Sequence, residues 1–389
     1  MLCIKNGTLH TVAQKEPFQG DILVEGGKIR KIGQDLEIPE GCEVIDASGL
    51  QVYPGFVEAH CHLGLDGYGI GFEGQDYNEL NEIVTPELQA IDSIYPQDET
   101  LRQAAAAGVT CVGTGPGSSN VLGGTFAAIK TVGCRVDHMI VKRAVAMKCA
   151  FGENPKRCYK DKNNYARMST ASKLRVMLRK AQEYQERMNA AGDDVLKRPA
   201  YDPKLEALLP VINREIPLKA HAHRIDDIFT SIRIAKEFNL KLTLEHCTEG
   251  HLAPEEIAKE GFPAAVGPSL THATKFELRN KTFETPGILS RAGVQVSIIT
   301  DSPVIPEQYL PLCAGLAVKS GMDPYEALKA ITINPAKHLG IEDRVGSLEE
   351  GKDADILLAD GCPMEIGTRI CRVYIDGREV AQDCDEAGK

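Results

Sequence analysis

Along the chain the spacing of apolar positions changes twice. Over the first fifty-odd residues they come in short runs separated by turn residues. LCIKNGTLHTV carries an Asn-Gly turn signal, and GDILVEGGKIRKIG splits into two runs around Gly26-Gly27, a hairpin pattern. The C-terminal end has the same texture in ADILLAD and in RVYIDGREV, which bends at Asp376-Gly377. Strand-rich ends around a different middle predict one small β-sandwich assembled from residues 1–54 and 345–389. The middle alternates strands with helices. Candidate strands are the run ending at His60 and His62, runs near 109–115, 126–132 and 143–151, one ending at His223, and runs near 240–247, 263–270 and 294–301. Several are apolar on both faces, as parallel strands covered by helices are. Ile225, Ile228, Phe229, Ile232 and Ala235 recur at helical spacing, and 169–190 reads as a long charged helix stopped by Gly192. The pattern predicts an α/β fold: a (β/α)8 TIM-like barrel over 55–344, with a small β-sandwich domain built from both termini. The segment 152–198 exceeds an ordinary connection and is rich in Lys, Arg, Asn and Gln. It is expected to be a lid or substrate wall at the barrel mouth, or else a solvated surface helix.

Composition narrows the partners. A net charge of −11 disfavours nucleic acid, whose phosphates would be repelled, although a local Arg or a metal can still attract a small anion. The twelve cysteines form no CxxC pair, and most lie in apolar runs where free Cys acts as a small hydrophobe. MLCIKNGTLHTV lacks the basic region and apolar stretch of a signal peptide, and no run is apolar for long enough to span a membrane. The expectation is a cytoplasmic enzyme with a small-molecule substrate and no nucleic-acid or membrane partner. Barrels of this size commonly associate, so a homo-oligomer is admitted.

Chemistry enters at the strand ends, where barrel active sites sit. In PGFVEAHCH, His60 and His62 are two apart, so in a strand both imidazoles project to one side and Cys61 to the other. KAHAH adds His221 and His223, LEHC adds His246, and IITDSP adds Asp301. Imidazole nitrogen and carboxylate oxygen are good ligands for zinc and similar ions. Four strand ends, each carrying such groups, predict a metal site.

These motifs, in this order, resemble those of the amidohydrolase superfamily. The resemblance is to the branch of imidazolonepropionase-related hydrolases and metal-dependent prolidase-like dipeptidases. AITINPAKHLGIEDRVGSLEEGKDADILLAD extends it to nearly the whole chain, as a last barrel helix leading into returning strands. The resemblance implies His60, His62, His221, His246 and Asp301 as metal ligands, with His223 as a substrate contact in the same pocket. Many binuclear relatives bridge two ions with a strand-four lysine carboxylated to a carbamate. Lys148, in AVAMKCAFGENPK, fits that place, and Glu153 is its competitor. Deaminases of the superfamily carry a Glu three residues after the strand-five His; here that position is Arg224. The departure favours hydrolysis of an amide, with Arg224 either clamping a substrate carboxylate or pairing with Asp226 or Asp227. His272, after the seventh strand, is a further candidate substrate contact.

The expected activity is hydrolysis of a C–N bond, amide or peptide-like, in a small substrate such as an N-acyl amino acid, dipeptide or cyclic amide. Metal-bound hydroxide attacks the carbonyl and Asp301 shuttles the proton. The cofactor is a divalent metal, zinc first, with one or two ions per chain; iron, manganese and cobalt suit the same ligands. One alternative is a mononuclear imidazolonepropionase-like cyclic amide hydrolase or deaminase with an unmodified Lys148. Another, of a different class, is a non-catalytic scaffold barrel.

Overall fold

A computed structural model describes residues 1–67 and 70–380; the end of the 345–389 segment, residues 381–389, lies outside the described residues. Five strands come first: β1 (Leu2–Leu9), β2 (Phe18–Glu25), β3 (Lys28–Gly33), β4 (Glu43–Asp46) and β5 (Gln51–Pro54). Gly26 and Gly27, at φ 58° and 81°, close the expected β2–β3 hairpin. Asn6-Gly7 does something else. Asn6, at φ 61°, forms a bulge inside a continuous β1 instead of reversing the chain. Its short polar side chain tolerates the left-handed conformation. Before the bulge β1 pairs in parallel with β4, and after it with β5.

The barrel strands follow in sequence order around one sheet: β6 (Phe56–Cys61), β7 (Val109–Thr114), β8 (Leu122–Lys130), β9 (Ile140–Ala150), β10 (Leu218–Ala222), β11 (Leu242–His246), β12 (Ala264–Val266) and β13 (Val296–Ile298). Beyond β6 and β13 the His62 N–H donates to the Ser302 carbonyl at 2.8 Å, which all but closes the ring. One helix, α1 (Glu99–Ala106), precedes β7, and a short α2 (Val136–Met139) precedes β9. Between β9 and β10 lie α3 (Glu153–Cys158), α4 (Arg167–Ala191) and α5 (Pro203–Ile212). Next come α6 (Ile225–Glu237), α7 (Pro254–Glu260) and α8 (Thr285–Arg291), then α9 (Leu310–Lys319), α10 (Pro324–Ala330) and α11 (Ile333–Leu339). The chain returns as β14 (Ile356–Ala359), β15 (Ile370–Ile375) and β16 (Arg378–Glu379), which join the first five strands in a second eight-stranded sheet through the antiparallel β14–β5 pair.

One departure from strict strand–helix alternation matters for the site. β8 runs antiparallel to both β7 and β9, and only residues 115–121 link it to β7. Parallel neighbours need a crossover of about a dozen residues or more, so a connection this short forces the reversal. The loop 115–121 therefore sits at the same barrel mouth as the ends of the parallel strands.

Period-two alternation sorts the strand residues. On β9, β10 and β11, Met147, Cys149, Leu218, Ala220, Leu242 and Leu244 pack outward against Ile228, Ile232 and Ala235 of α6 and Leu174, Leu178 and Ala181 of α4. The intervening Lys148, Lys219, His221 and Glu245 are buried within the barrel. The same rule joins the two sheets. Leu357, Ala359, Val373 and Ile375 pack with Phe56, Val109 and Ile129 of the barrel, while Ile356, Leu358 and Tyr374 complete the second sheet's own core. Each Leu, Ile, Val or Phe among them contributes about 1.5–3 kcal/mol when fully buried. At this junction the buried Lys130 reaches Asp355 at 2.7 Å and Asp353 and Asp376 at 3.1 Å.

Candidate metal centre

The inward faces of the strands converge at their C-terminal ends. His60, His62 and Asp301 offer ligand atoms within 4.8 Å of one another, and so do His221, His223 and His246. The His60 and His246 ring centroids are 4.9 Å apart, so the two groups adjoin at the barrel mouth. Backbone geometry helps to aim them: His246, Cys247 and Asp301 sit at φ 69°, 45° and 54°. Non-glycine residues held there cost about 1–3 kcal/mol each and cluster at functional sites.

Hydrogen bonds fix the ring tautomers. His62 Nδ1 lies 2.7 Å from the Gly115 carbonyl and His246 Nδ1 2.9 Å from the Gly267 carbonyl. A carbonyl only accepts, so each Nδ1 carries the proton and each Nε2 presents a bare lone pair. His60 is held likewise, with Nδ1 2.8 Å from Glu245 Oε2. His62 Nε2 faces Asp301 Oδ1 at 3.4 Å: two acceptors with no proton between them. Two donor atoms bound at about 2.0–2.1 Å to one tetrahedral ion lie at a similar separation. Both nitrogens of His221, Nε2 of His246 and Oδ1 of Asp301 are buried without a hydrogen-bond partner. The donor set therefore fits a divalent cation.

The electrostatics agree. Burial holds His60, His221 and His223 well below the ordinary imidazole pKa and His246 at about 4, so all four are neutral lone-pair donors at pH 7. Burial raises the Asp301 carboxyl, while positive charge on the facing His246, His62 and His60 imidazoles would pull it well below the usual range, and a cation bound among them would act in the same direction.

Lys148 and Lys219 are register partners on β9 and β10, yet they differ. Lys219 Nζ lies 2.9 Å from Glu245 Oε2 and donates to the Ala59 carbonyl at 3.0 Å. Lys148 Nζ lies 2.8 Å from His60 Nε2 and has no carboxylate within ion-pair distance among the described residues. Burial lowers its pKa to about 7, against partial compensation from Asp301 and Glu245. Glu153, its competitor, is half-buried, gives its main-chain N–H to Glu277 Oε2 at 2.9 Å and belongs to neither ligand group.

The remaining candidates divide. His223 is inside, with Nδ1 2.7 Å from Thr248 Oγ1 and a ring as near to His221 and His246 as a ligand would be. Arg224 stands outside the cavity walls, its guanidinium bidentate on Asp226 at 2.9 and 3.0 Å. His272 is exposed and lines no part of the cavity. That cavity, of about 340 Å³, opens above His62, His221, His223 and Asp301.

Sequence reasoning passed over Glu245, Glu58, Lys219 and His338. Glu58 accepts from the His60 and Thr300 main-chain N–H groups at 2.8 Å each, tying β6 to the segment that carries Asp301. Two of these four were within reach: Glu58 is two residues before His60 and Lys219 two before His221, so each shares the inward face.

Such a barrel, with neutral imidazoles and an aspartate gathered at its strand ends, is that of a hydrolase with a candidate metal centre. Residues 51–380 match the amidohydrolase family, and the chain belongs to it: a family of hydrolases acting on carbon–nitrogen bonds and generally dependent on metal. A crystal structure of an amidohydrolase from Thermotoga maritima superposes with a TM-score of 0.95 at 41% identity, covering 98% of this chain and 100% of that one. The imidazolonepropionase of Thermoplasma volcanium is 26% identical over 87% of this chain and 83% of its own length. Amidohydrolase tasK of Hapsidospora irregularis is 28% identical over 92% of this chain, which spans only 39% of that longer protein. Among the described residues no helix is long and apolar enough to cross a membrane.

Proposed function

We propose that the chain hydrolyses an amide or peptide-like C–N bond of a small substrate with a divalent metal held by His60, His62, His221, His246 and Asp301. The observation that carries this reading is the set of buried lone pairs without partners on His221, His246 and Asp301. Each unsatisfied buried polar atom costs about 1–3 kcal/mol, and a cation bound among these donors would relieve those it reaches. A divalent ion bound there lowers the pKa of water and polarises a carbonyl oxygen. Asp301, ionised at neutral pH and open to the cavity, takes the proton of the attacking water and passes it to the departing nitrogen. His223, fixed through Thr248, is placed to touch the substrate. Zinc is the first candidate ion, since imidazole and carboxylate suit it.

Lys148 is the residue proposed to bridge a second ion. Its buried amine, with a pKa of about 7, is substantially neutral at physiological pH. A neutral amine adds to CO2 and releases one proton, which leaves an anionic carbamate. Lys219 is engaged by Glu245 Oε2 at 2.9 Å and by the Ala59 carbonyl, and is a poor competitor. A second reading keeps Lys148 unmodified, and its 2.8 Å contact with His60 Nε2 supports it. The enzyme would then be mononuclear, nearer the imidazolonepropionase relative. A scaffold without catalysis is disfavoured by the intact donor set.

Metal content tests both readings. Two equivalents per chain in the wild type, falling to one or none in Lys148→Ala, are expected for the bridged pair. One equivalent in both proteins would remove the bridge. No bound metal in either would overturn the assignment of the centre.

A further inference from the structure

The cavity wall above the metal centre is unusually rich in groups that donate. Arg157 lies on it, exposed, with no carboxylate partner among the described residues. Asn154, three residues earlier on α3, shares its face of the helix. Asn154 accepts from Lys275 Nζ at 3.1 Å and donates to Ser118 Oγ at 2.7 Å. Ser118 thus has its oxygen partly satisfied and its proton free to give. Ser119 Oγ accepts from Cys158 Sγ at 3.4 Å and is left in the same position. Asn78 Oδ1 accepts from the Ser119 main-chain N–H at 3.1 Å, which turns the Asn78 amide nitrogen into a free donor.

The other cation of this wall is already matched, and one carboxylate there is hydrogen-bonded. Lys275 lies 2.7 Å from Glu277 Oε1, so its charge is neutralised within the protein. Asp66, a carboxylate of the same cavity, takes the Tyr77 phenol as a hydrogen bond. Arg157 is therefore the unmatched cation of this wall among the described residues, and it shares the cavity lining with Ser118, Ser119 and Asn78, all with hydrogens to donate. Guanidinium recognises a planar acceptor-only group in bidentate fashion, and hydroxyl and amide donors complete its shell.

We propose that the substrate carries a carboxylate remote from the scissile bond, docked on Arg157, Ser118, Ser119 and Asn78. This rests on the amidohydrolase reading and narrows it to N-acyl amino acids and peptides with a free carboxylate, over uncharged amides. It also moves anion recognition from Arg224, which Asp226 occupies, to α3.

The test pairs N-acetyl amino acids and dipeptides with their C-terminal carboxamides, on zinc-loaded wild type, Arg157→Gln, Arg157→Lys and Arg224→Gln. Binding is read by calorimetry and turnover by released amine. The acid is expected to be favoured about tenfold or more in Kd and KM, as one charge-assisted contact provides. That preference should collapse in Arg157→Gln, survive in part in Arg157→Lys and persist in Arg224→Gln. An acid preference that persists in Arg157→Gln, equal handling of acid and carboxamide by wild type, or no binding of either, each overturns the proposal. Arg157-dependent binding of acids without any turnover would leave it standing and sink the hydrolase reading instead.

Discussion

Glu245 accepts from His60 Nδ1 and His338 Nε2 at 2.8 Å and from Thr243 Oγ1 at 2.7 Å, and lies 2.9 Å from Lys219 Nζ. A carboxylate has about four lone-pair sites, and all are used. Burial would raise its pKa, but Lys219 and His338 hold it well below the ordinary value. Glu245→Gln keeps the shape and replaces one acceptor oxygen by a donor facing other donors. Loss of a buried pair's charge should lower stability by about 3–5 kcal/mol in urea unfolding. Loosening of His60 should weaken metal affinity about 10–100-fold. An unchanged unfolding midpoint with unchanged metal affinity would show that Glu245 does not position His60. This residue was hard to read from sequence because it adjoins His246. Neighbours on a strand face opposite ways, and only the positive φ at His246 lets both reach His60.

Elements were legible where spacing and composition agreed. The HxH run ends β6, KAHAH ends β10, and the apolar stripe from Ile225 to Ala235 lies inside α6. The charged segment expected to form a long helix is α4, and its solvent-like composition conceals a packed stripe of Leu174, Leu178 and Ala181. Arg167 at its first turn pairs with Asp227 at 2.9 Å, which fastens α4 to α6. Two elements were less plain. Asn6-Gly7 is a turn signal by type, but the choice between hairpin and bulge depends on which strands lie alongside. The reversal of β8 was available in principle from the shortness of 115–121. It was hidden because β8, like its parallel neighbours, is buried on both faces and shows no polar alternation that would mark an antiparallel strand.

On the scale of the whole molecule the site charges its own stability. In the metal-free protein four buried imidazoles are held neutral, His246 with a pKa of about 4 and His60, His221 and His223 well below normal. In the unfolded chain they titrate near 6.5. Between those limits the unfolded state binds more protons, so stability present above about pH 6.5 is lost as the pH falls toward 4. His246 alone accounts for roughly 3 kcal/mol. The urea midpoint of metal-stripped protein should therefore drop steadily from pH 7 to pH 5, and a flat midpoint would contradict the burial of these rings. The inverted strand bears on how the chain reaches this state. β7, β8 and β9 form a meander whose ends meet across short loops, whereas β9 and β10 must close over the whole of 151–217. Loop-closure entropy and contact order both favour the meander as an early nucleus. Pulse-labelled hydrogen exchange is expected to protect amides of 109–150 before those of β10 to β13, and the reverse order would reject that sequence of events. The strand that interrupts the barrel's alternation is then the one from which the barrel starts to assemble.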